Sequence, residues 1–180
     1  LSVYPFVDAP SSSAPLIFLG RVEEIKGPHL AIEVARRTGL PLVIAGNIPN
    51  EHQLWFDSHI KPHLNESITY VGPVNDEQKA SLLGSALALL MPILWDEPFG
   101  IVMAEAMACG TPVLGLSRGS VPEVVLHGVT GFVAECIDEL VPYVSRLGEL
   151  NRFDCRRRVQ QYYSDKAVAD SYLSVYKRML

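Results

Sequence analysis

The stretch LALLMPILWDEPFGIVMAEAMACGTPVLGL, residues 87–116, decides the fold. It predicts a buried strand up to Pro92, a helix over 99–109 and a second apolar strand over 111–116. Two strands that are apolar throughout and joined by a helix indicate a parallel sheet covered on both faces. The stretch also holds two carboxylates, Glu97 and Glu105, and Glu105 interrupts an otherwise apolar helix. Because burying an unpaired carboxylate costs several kcal/mol, we expect a compensating partner.

The same alternation continues in both directions along the chain. Further apolar strands are predicted at 16–20, 41–46, 67–72 and 130–135. Helices are predicted at 28–39, 51–63, 75–86 and in three segments of 136–180, and a short helical turn at 121–128. This predicts an α/β fold, a doubly wound and mainly parallel six-stranded sheet of Rossmann-like form, which binds ligands at the carboxyl ends of its strands. Residues 1–15, rich in Pro and Ser, are assigned to a linker or lead-in, and residues 16–180 to a single domain.

Composition excludes several classes of protein. The 180 residues carry a net charge of −5, which argues against a nucleic-acid partner. The three cysteines suit neither a zinc site nor a disulfide framework, and no apolar run approaches the roughly 20 residues of a membrane span. The chain begins at Leu1 without signal-peptide features, so we expect a piece of a longer protein in the cytoplasm.

Two segments at predicted strand ends suit an anion. GRVEEIKG, residues 20–27, brings Arg21 and Lys26 to the end of the first strand, where they either bind phosphate or form a solvated charged turn. In EPFGIVMAE the amides of Phe99, Gly100 and Ile101 open a helix and form an anion site together with its dipole. Glu97 and Glu105 flank this site, each able to accept bonds from a sugar diol. The alternative is that Glu105 pairs with an internal Arg or Lys.

Three other features of the sequence give weaker indications of function. SRGSVPE, residues 117–123, is either a further helix-terminus donor site or simple turn chemistry. The histidines over 52–63 lack a third ligand, so no metal site is assigned. The basic cluster at 156–158 is interpreted first as a solvated helix face. Its alternative is a docking surface for an anionic membrane or for an absent domain, which would place the protein at the inner membrane face.

With these residues in place, the chain resembles the C-terminal, nucleotide-sugar-binding half of group 1, or family 4, retaining glycosyltransferases. These enzymes have the GT-B fold of two Rossmann-like domains. The most specific element is EPFGIVMAEAMACGTPVLGLSRGSVPEVV, residues 97–125, where the family often has two adjacent glycines in place of Gly119 and Ser120. FLGRVEEIKG, LVIAGN and YVGPVN support it in the order and at the strand ends that the family has.

The resemblance implies a role for each matching residue. Three are expected to be catalytic: Arg21 and Lys26 neutralise the donor's diphosphate, and Glu97 contacts hydroxyls of the donor sugar. Glu105 is expected to hold the ribose hydroxyls. The remaining donor-binding positions are backbone or wall contacts, at Gly20, Gly46, Gly72, Val74, Phe99, Gly100 and Ile101.

The resemblance also implies transfer of a sugar from a UDP-, GDP- or ADP-sugar with retention and without a cofactor or metal. The expected partners are the nucleotide sugar, an N-terminal domain absent from this chain that supplies the acceptor site, and an acceptor glycan, lipid or small molecule. Without that domain, the chain is expected to bind a donor and not to turn it over. The alternatives are a sugar-nucleotide epimerase or phosphorylase of the same architecture, or a non-catalytic nucleotide-binding α/β domain.

Overall fold

A parallel β-sheet forms the centre of the molecule in the computed structural model, which describes residues 3–179. Its six strands are ordered β3-β2-β1-β4-β5-β6, and every neighbouring pair is parallel. The predicted α/β fold with six parallel strands is therefore confirmed. The strands are β1 (Leu16–Leu19), β2 (Leu42–Ala45), β3 (Ile68–Gly72), β4 (Ala88–Met91), β5 (Val113–Leu116) and β6 (Gly131–Ala134).

Helices connect the strands and cover both faces of the sheet. The segment predicted as one helix over 51–63 is broken: a 3-10 turn (Asn50–His52) precedes the helix and another (Lys61–His63) follows it. Pro62 contributes to this break, because it has no N–H to continue the helical hydrogen bonding. The helices are α1 (Pro28–Thr38), α2 (Gln53–His59), α3 (Asp76–Ser85), α4 (Ile101–Ala108), α5 (Val121–Val124), α6 (Ile137–Val144), α7 (Arg152–Tyr162) and α8 (Asp165–Met179).

Alternate residues of each strand divide the core into two layers. Leu16 and Phe18 of β1 point into one layer and Ile17 into the other, because successive side chains of a strand face opposite ways. The first layer packs the sheet against α1, α2 and α6, and the second packs it against α3, α4, α5 and α7. Across residues 3–179, no helix is long and apolar enough to cross a bilayer.

The lead-in segment before β1 contains neither a helix nor a strand over residues 3–15, yet it is packed against the domain. The amide of Val7 donates to the carbonyl oxygen of Cys109 at 3.0 Å, and its own carbonyl accepts from Arg152 Nε at 2.8 Å. The rings of Phe6 and Phe153 meet edge to face at 5.8 Å. These contacts fix the segment against α7 and the end of α4.

The basic cluster of α7 is largely engaged inside the molecule. Arg156 donates to the carbonyl oxygens of Tyr4 and Ala108, and Arg158 donates to that of Glu123 at 2.8 Å. The interpretation of the cluster as a solvated helix face is therefore wrong for these two side chains. Their guanidinium groups bridge backbone segments that lie far apart in the sequence.

We predict that Arg152→Ala lowers the free energy of unfolding by about 3 kcal/mol or more, because each buried acceptor left without a donor costs about 1–3 kcal/mol. Arg152 is only 8% exposed. Its guanidinium donates to four acceptors: the carbonyl oxygens of Val7, Gly84 and Ala86, and Thr111 Oγ1. Urea denaturation measures the loss.

Arg157→Ala in the same helix is the matched control, because Arg157 is exposed and, within residues 3–179, forms an ion pair only with Asp154. We expect it to cost less than about 1 kcal/mol. Equal losses for the two variants would contradict the assignment of Arg152 as a buried cross-link.

Candidate functional site

A cleft of about 200 Å³ opens at the carboxyl ends of β1 and β4, where the strand order reverses direction. Ligands of open α/β sheets bind at this kind of position. The cleft brings together six residues that the sequence predicted for the site, namely Gly20, Arg21, Lys26, Glu97, Gly100 and Ile101. Apolar side chains from β1, α4 and the segment after β4 complete its wall.

Close backbone packing positions the loop that follows β1. Gly27 has a φ of +75°, and a Cβ atom added there would lie 2.0 Å from the carbonyl oxygen of Pro92. The amide of Leu94 donates to the carbonyl oxygen of Ile25 at 2.8 Å. The loops after β1 and β4 are thereby fastened to each other, which sets Lys26 opposite Glu97.

Glu97 is held through one of its two carboxylate oxygens. Its Oε2 accepts from Lys26 Nζ at 2.5 Å and from Trp95 Nε1 at 3.2 Å. The ammonium of Lys26 also lies 4.5 Å from the centroid of the Trp95 ring, a cation–π distance. The Glu97 side chain is 12% exposed, and its Oε1 accepts no hydrogen bond from any residue in the described range 3–179.

The start of α4 presents amides to the cleft. Gly100 precedes the helix with a φ of +66°, and no side chain caps the helix. Neither Ile101 nor Val102 donates its amide hydrogen to an acceptor within the described part of the chain. The dipole of α4 adds partial positive charge there, so this helix start suits an anion. Phe99 lies outside the cleft wall and packs its ring against Tyr163 at 5.6 Å.

Arg21 is paired with a buried carboxylate. Its Nη2 lies 2.9 Å from Glu23 Oε1, and His52 Nε2 lies 3.3 Å from Glu23 Oε2. The Glu23 side chain is 5% exposed, whereas that of Arg21 is 53% exposed. The half-exposed guanidinium of Arg21 thus lines the cleft and forms an ion pair with Glu23.

Glu105 has the compensating partner that the sequence analysis expected, and that partner lies inside the protein. Its Oε1 accepts from Lys79 Nζ at 2.7 Å and from the Tyr4 hydroxyl at 2.5 Å. The internal lysine considered as the alternative is thus present, and Glu105 does not line the cleft. Its role toward a ribose stays a prediction.

The Glu105 cluster alters the pKa values of its partners. Burial is the first cause that raises the pKa of the Tyr4 phenol, and the Glu105 carboxylate is the second. Burial acts to lower the pKa of Lys79, but hydrogen bonds to Glu105, Tyr4 and Asp76 outweigh it, and the pKa lies above the ordinary value for lysine. Lys79 is therefore charged at neutral pH, and Tyr4 keeps its proton.

The glycines predicted at the strand ends lie side by side. The amide of Gly46 donates to the carbonyl oxygen of Gly72 at 2.8 Å, and a Cβ atom at Gly46 would lie 1.8 Å from the carbonyl oxygen of Gly20. Val74 is separate from the cleft and lines a surface depression with Val71 and Asn75. The structure thus brings the three glycines together and leaves Val74 apart.

Several contacts of the site were not predicted from the sequence. The Lys partner of Glu105 was considered only as an alternative, without a position. The contacts of Tyr4 with Glu105, of Lys26 and Trp95 with Glu97, and of Arg21 with Glu23 were not predicted. A signal existed for Lys79, which is the only Lys or Arg between residues 62 and 117 and shares that stretch with Glu105. Tyr4 had no such signal, because 101 positions separate it from Glu105.

The segment after β5 also fixes Glu97. Gly119 has a φ of +52°, and a Cβ atom there would lie 2.3 Å from the amide nitrogen of Glu97. The amide of Ser120 donates to the carbonyl oxygen of Glu97 at 2.8 Å. That amide is therefore used within the protein, and the turn positions Glu97. The Ser120 hydroxyl is buried and has no hydrogen-bond partner within residues 3–179, so a donor role for residues 117–123 stays a prediction.

The fold and the cleft define an open α/β domain whose reversal of strand order carries a cleft lined by two cationic side chains and a helix start. Within that class the chain belongs to the group 1 glycosyltransferases, because the family described as "Glycosyl transferases group 1" matches residues 7–163.

Curated relatives carry the same kind of domain in longer chains. A D-inositol 3-phosphate glycosyltransferase of Arthrobacter sp. (strain FB24) is 31% identical over 70% of this chain and 32% of its own length. Spore coat protein SA of Bacillus subtilis (strain 168) is 25% identical over 91% of this chain and 48% of its own length. The chain thus spans about a third to a half of these relatives.

Solved structures of glycosyltransferases share the fold. AviGT4, involved in avilamycin A biosynthesis, superimposes with a TM-score of 0.80 at 28% identity over 98% of this chain and 54% of its own. Anabaena Alr3699/HepE, solved with UDP and glucose, superimposes with a TM-score of 0.77 at 20% identity, over 91% of this chain and 49% of its own. The C-terminal domain of a Francisella tularensis glycosyl transferase group 1 family protein (LpcC) superimposes with a TM-score of 0.75 at 17% identity. The match covers 91% of this chain and 97% of the solved domain. This chain therefore has the size and fold of a C-terminal domain.

We predict that Gly119→Ala lowers the free energy of unfolding by about 3 kcal/mol or more, because it combines a left-handed backbone cost of about 1–2 kcal/mol with a steric clash. The added methyl group would collide with the backbone of Glu97. Urea denaturation measures the change.

Gly128→Ala is the matched control, since Gly128 has a φ of +75° and nothing lies within 4 Å of a Cβ there. It should cost only the backbone term of about 1–2 kcal/mol. If Gly119→Ala cost no more than Gly128→Ala, the close contact between residue 119 and Glu97 would be refuted.

Proposed function

We propose that this chain is the donor-binding domain of a glycosyltransferase that moves a sugar from a nucleoside-diphosphate sugar to an acceptor, with retention and without a metal ion. One observation carries the proposal. Two cations, Arg21 and Lys26, and the uncapped start of α4 converge on one cleft at the reversal of strand order. Membership of the group 1 family supports it.

The chemistry assigned to this cleft is stabilisation of the leaving diphosphate. As the bond to the sugar breaks, positive charge develops on the sugar and negative charge builds on the diphosphate. Fixed donors aimed at the developing charge lower the barrier without reorganising during the reaction. Lys26, Arg21 and the amides of Ile101 and Val102 supply such donors, so the proposal needs no divalent cation.

The two glutamates are assigned to hydroxyl groups on either side of the diphosphate. Lys26 and Trp95 hold Oε2 of Glu97, so its Oε1 is the acceptor proposed for the donor sugar. Glu105 is proposed to accept from the ribose. Neither is assigned as a nucleophile, because both carboxylates are already held by ammonium groups.

The acceptor is proposed to bind to another domain of a longer protein. This follows from the share of the relatives that the chain spans, 48% for spore coat protein SA and 32% for the D-inositol 3-phosphate glycosyltransferase. The 180-residue chain alone is therefore expected to bind a donor without transferring its sugar. An acceptor that is a glycan, a lipid or a small molecule stays a prediction. The cytoplasmic location also stays a prediction.

We predict that the chain binds a nucleoside diphosphate, measured by titration calorimetry with UDP, GDP and ADP in parallel. UDP is the first choice because the HepE structure was solved with it. Lys26→Ala should weaken binding by about 10–100-fold, since a hydrogen bond to a charged group is worth about 1.5–3 kcal/mol. Lys61→Ala, which removes an exposed lysine paired with Asp57, should leave the affinity unchanged.

Absence of binding by all three nucleotides would overturn the proposed function, and so would an unchanged affinity in Lys26→Ala. A comparison of UDP with UDP-glucose then separates a transferase donor site from a plain nucleotide site. Glu97→Gln should weaken binding of the sugar nucleotide more than that of UDP, because Glu97 is assigned to the sugar. Equal effects on both ligands would contradict that assignment.

A further inference from the structure

The two glutamates of the site are held in the same way by different elements. An ammonium and an aromatic donor share Oε2 of Glu97, and a second such pair shares Oε1 of Glu105. Each carboxylate is 12% exposed, and each lysine lies near the ring of its aromatic partner, at 4.5 Å for Lys26 and 5.7 Å for Lys79. In both carboxylates the other oxygen accepts from no residue in the range 3–179.

We propose that Lys79 and Tyr4 are positioning residues that fix Glu105 so that its free Oε2 accepts a ribose hydroxyl of the bound nucleotide. The inference rests on the proposed function and extends it to two residues outside the cleft wall. Lys79 lies in the first turns of α3, and Tyr4 lies in the lead-in segment. Neither touches the nucleotide, and both act through Glu105.

Positioning is needed because a glutamate side chain has several rotatable bonds. A carboxylate held at one oxygen by two donors loses the freedom to turn, so the entropic cost of orienting it is met before the ligand arrives. The ammonium also compensates the charge of a carboxylate that is largely removed from water. The buried side-chain polar atoms without a partner are on Glu23, His29 and Ser120. Glu105 Oε2 has no partner within residues 3–179 and is not one of these buried atoms, so it is in contact with solvent.

The surroundings of Lys79 favour this role over a general surface charge. Its side chain is 19% exposed and lies between Glu105 at 2.7 Å and Asp76 at 3.1 Å. Asp76 is 82% exposed, so screening by water makes that pair weak. The contact with Glu105 is therefore the dominant one, and it links α3 to α4 at the middle of the apolar helix.

The test compares ribose preference in matched variants. Titration calorimetry measures the affinities for UDP, for 2′-deoxy-UDP and for inorganic pyrophosphate, with GDP and ADP and their 2′-deoxy forms in parallel. The wild type should prefer the ribonucleotide by about tenfold, the size of one hydrogen bond to a charged group. Lys79→Met should remove most of that preference and leave the affinity for pyrophosphate unchanged, whereas Lys79→Arg should restore it.

Two further variants sharpen the comparison. Asp76→Asn removes the exposed partner of Lys79 and should leave the ribose preference as in the wild type. Tyr4→Phe keeps the ring and removes only the hydroxyl. It should lower the ribose preference by about threefold, because Glu105 then keeps its ion pair with Lys79 and loses one hydrogen bond. Tyr4→Phe decides the question if Lys79→Met fails to fold, which circular dichroism would show.

The outcomes separate this inference from the proposed function. If none of the nucleotides binds the wild type, the proposed function fails and the inference falls with it. If nucleotides bind with a ribose preference that Lys79→Met or Tyr4→Phe leaves intact, the inference alone is overturned. Equal weakening of UDP and pyrophosphate binding in Lys79→Met would also overturn it, because that pattern indicates general structural damage and not action through the ribose.

Discussion

Compensation of charge in an apolar setting is the constraint on which the site depends. The helix α4 is apolar apart from Glu105, and Glu97 stands just before it, so both carboxylates need a partner that folding itself supplies. Lys26 and Lys79 provide those partners. Since Lys26 is already engaged with Glu97, the diphosphate of the proposed donor must share its ammonium. The exposed guanidinium of Arg21 and the start of α4 then supply the remaining positive potential.

Contacts between backbones set the geometry of these pairs. Gly27 lies against Pro92, Gly46 against Gly20, and Gly119 against Glu97, at distances that leave no room for a side chain. Each contact joins loops from two different strands at the same edge of the sheet. A site built on such contacts is rigid, because no side chain can rotate to absorb a shift of the loop. Rigidity of this kind suits a site that stabilises a developing charge.

The sequence predicted the fold well because the relevant signals are local. Apolar runs and helical periods show six strands and the helices between them. The segment over 51–63 differs because its helix is interrupted, and the helix at 121–128 ends at Val124. The cleft was also predictable, because Arg21 and Lys26 lie in the loop after β1, Glu97 lies in the loop after β4, and parallel strands end at one edge. The pairings of Glu105 were not, because they depend on how α3 and the lead-in segment pack on α4. The burial of Glu23 could not be predicted for a similar reason, because the same local sequence can form a solvated charged turn or a buried ion pair.

The lead-in segment shows that strands and helices do not define the functional unit by themselves. A boundary drawn at β1 would separate Tyr4 from Glu105 and remove one carbonyl acceptor each from Arg152 and Arg156. Those two arginines lie on α7, so the segment connects a helix on the far side of α4 to a carboxylate assigned to the nucleotide. Its lack of regular structure reflects this task, because a helix or a strand would use the backbone carbonyls that here bind guanidinium groups. The segment is therefore packed into the domain and, if Glu105 holds the ribose as proposed, it also supports the site.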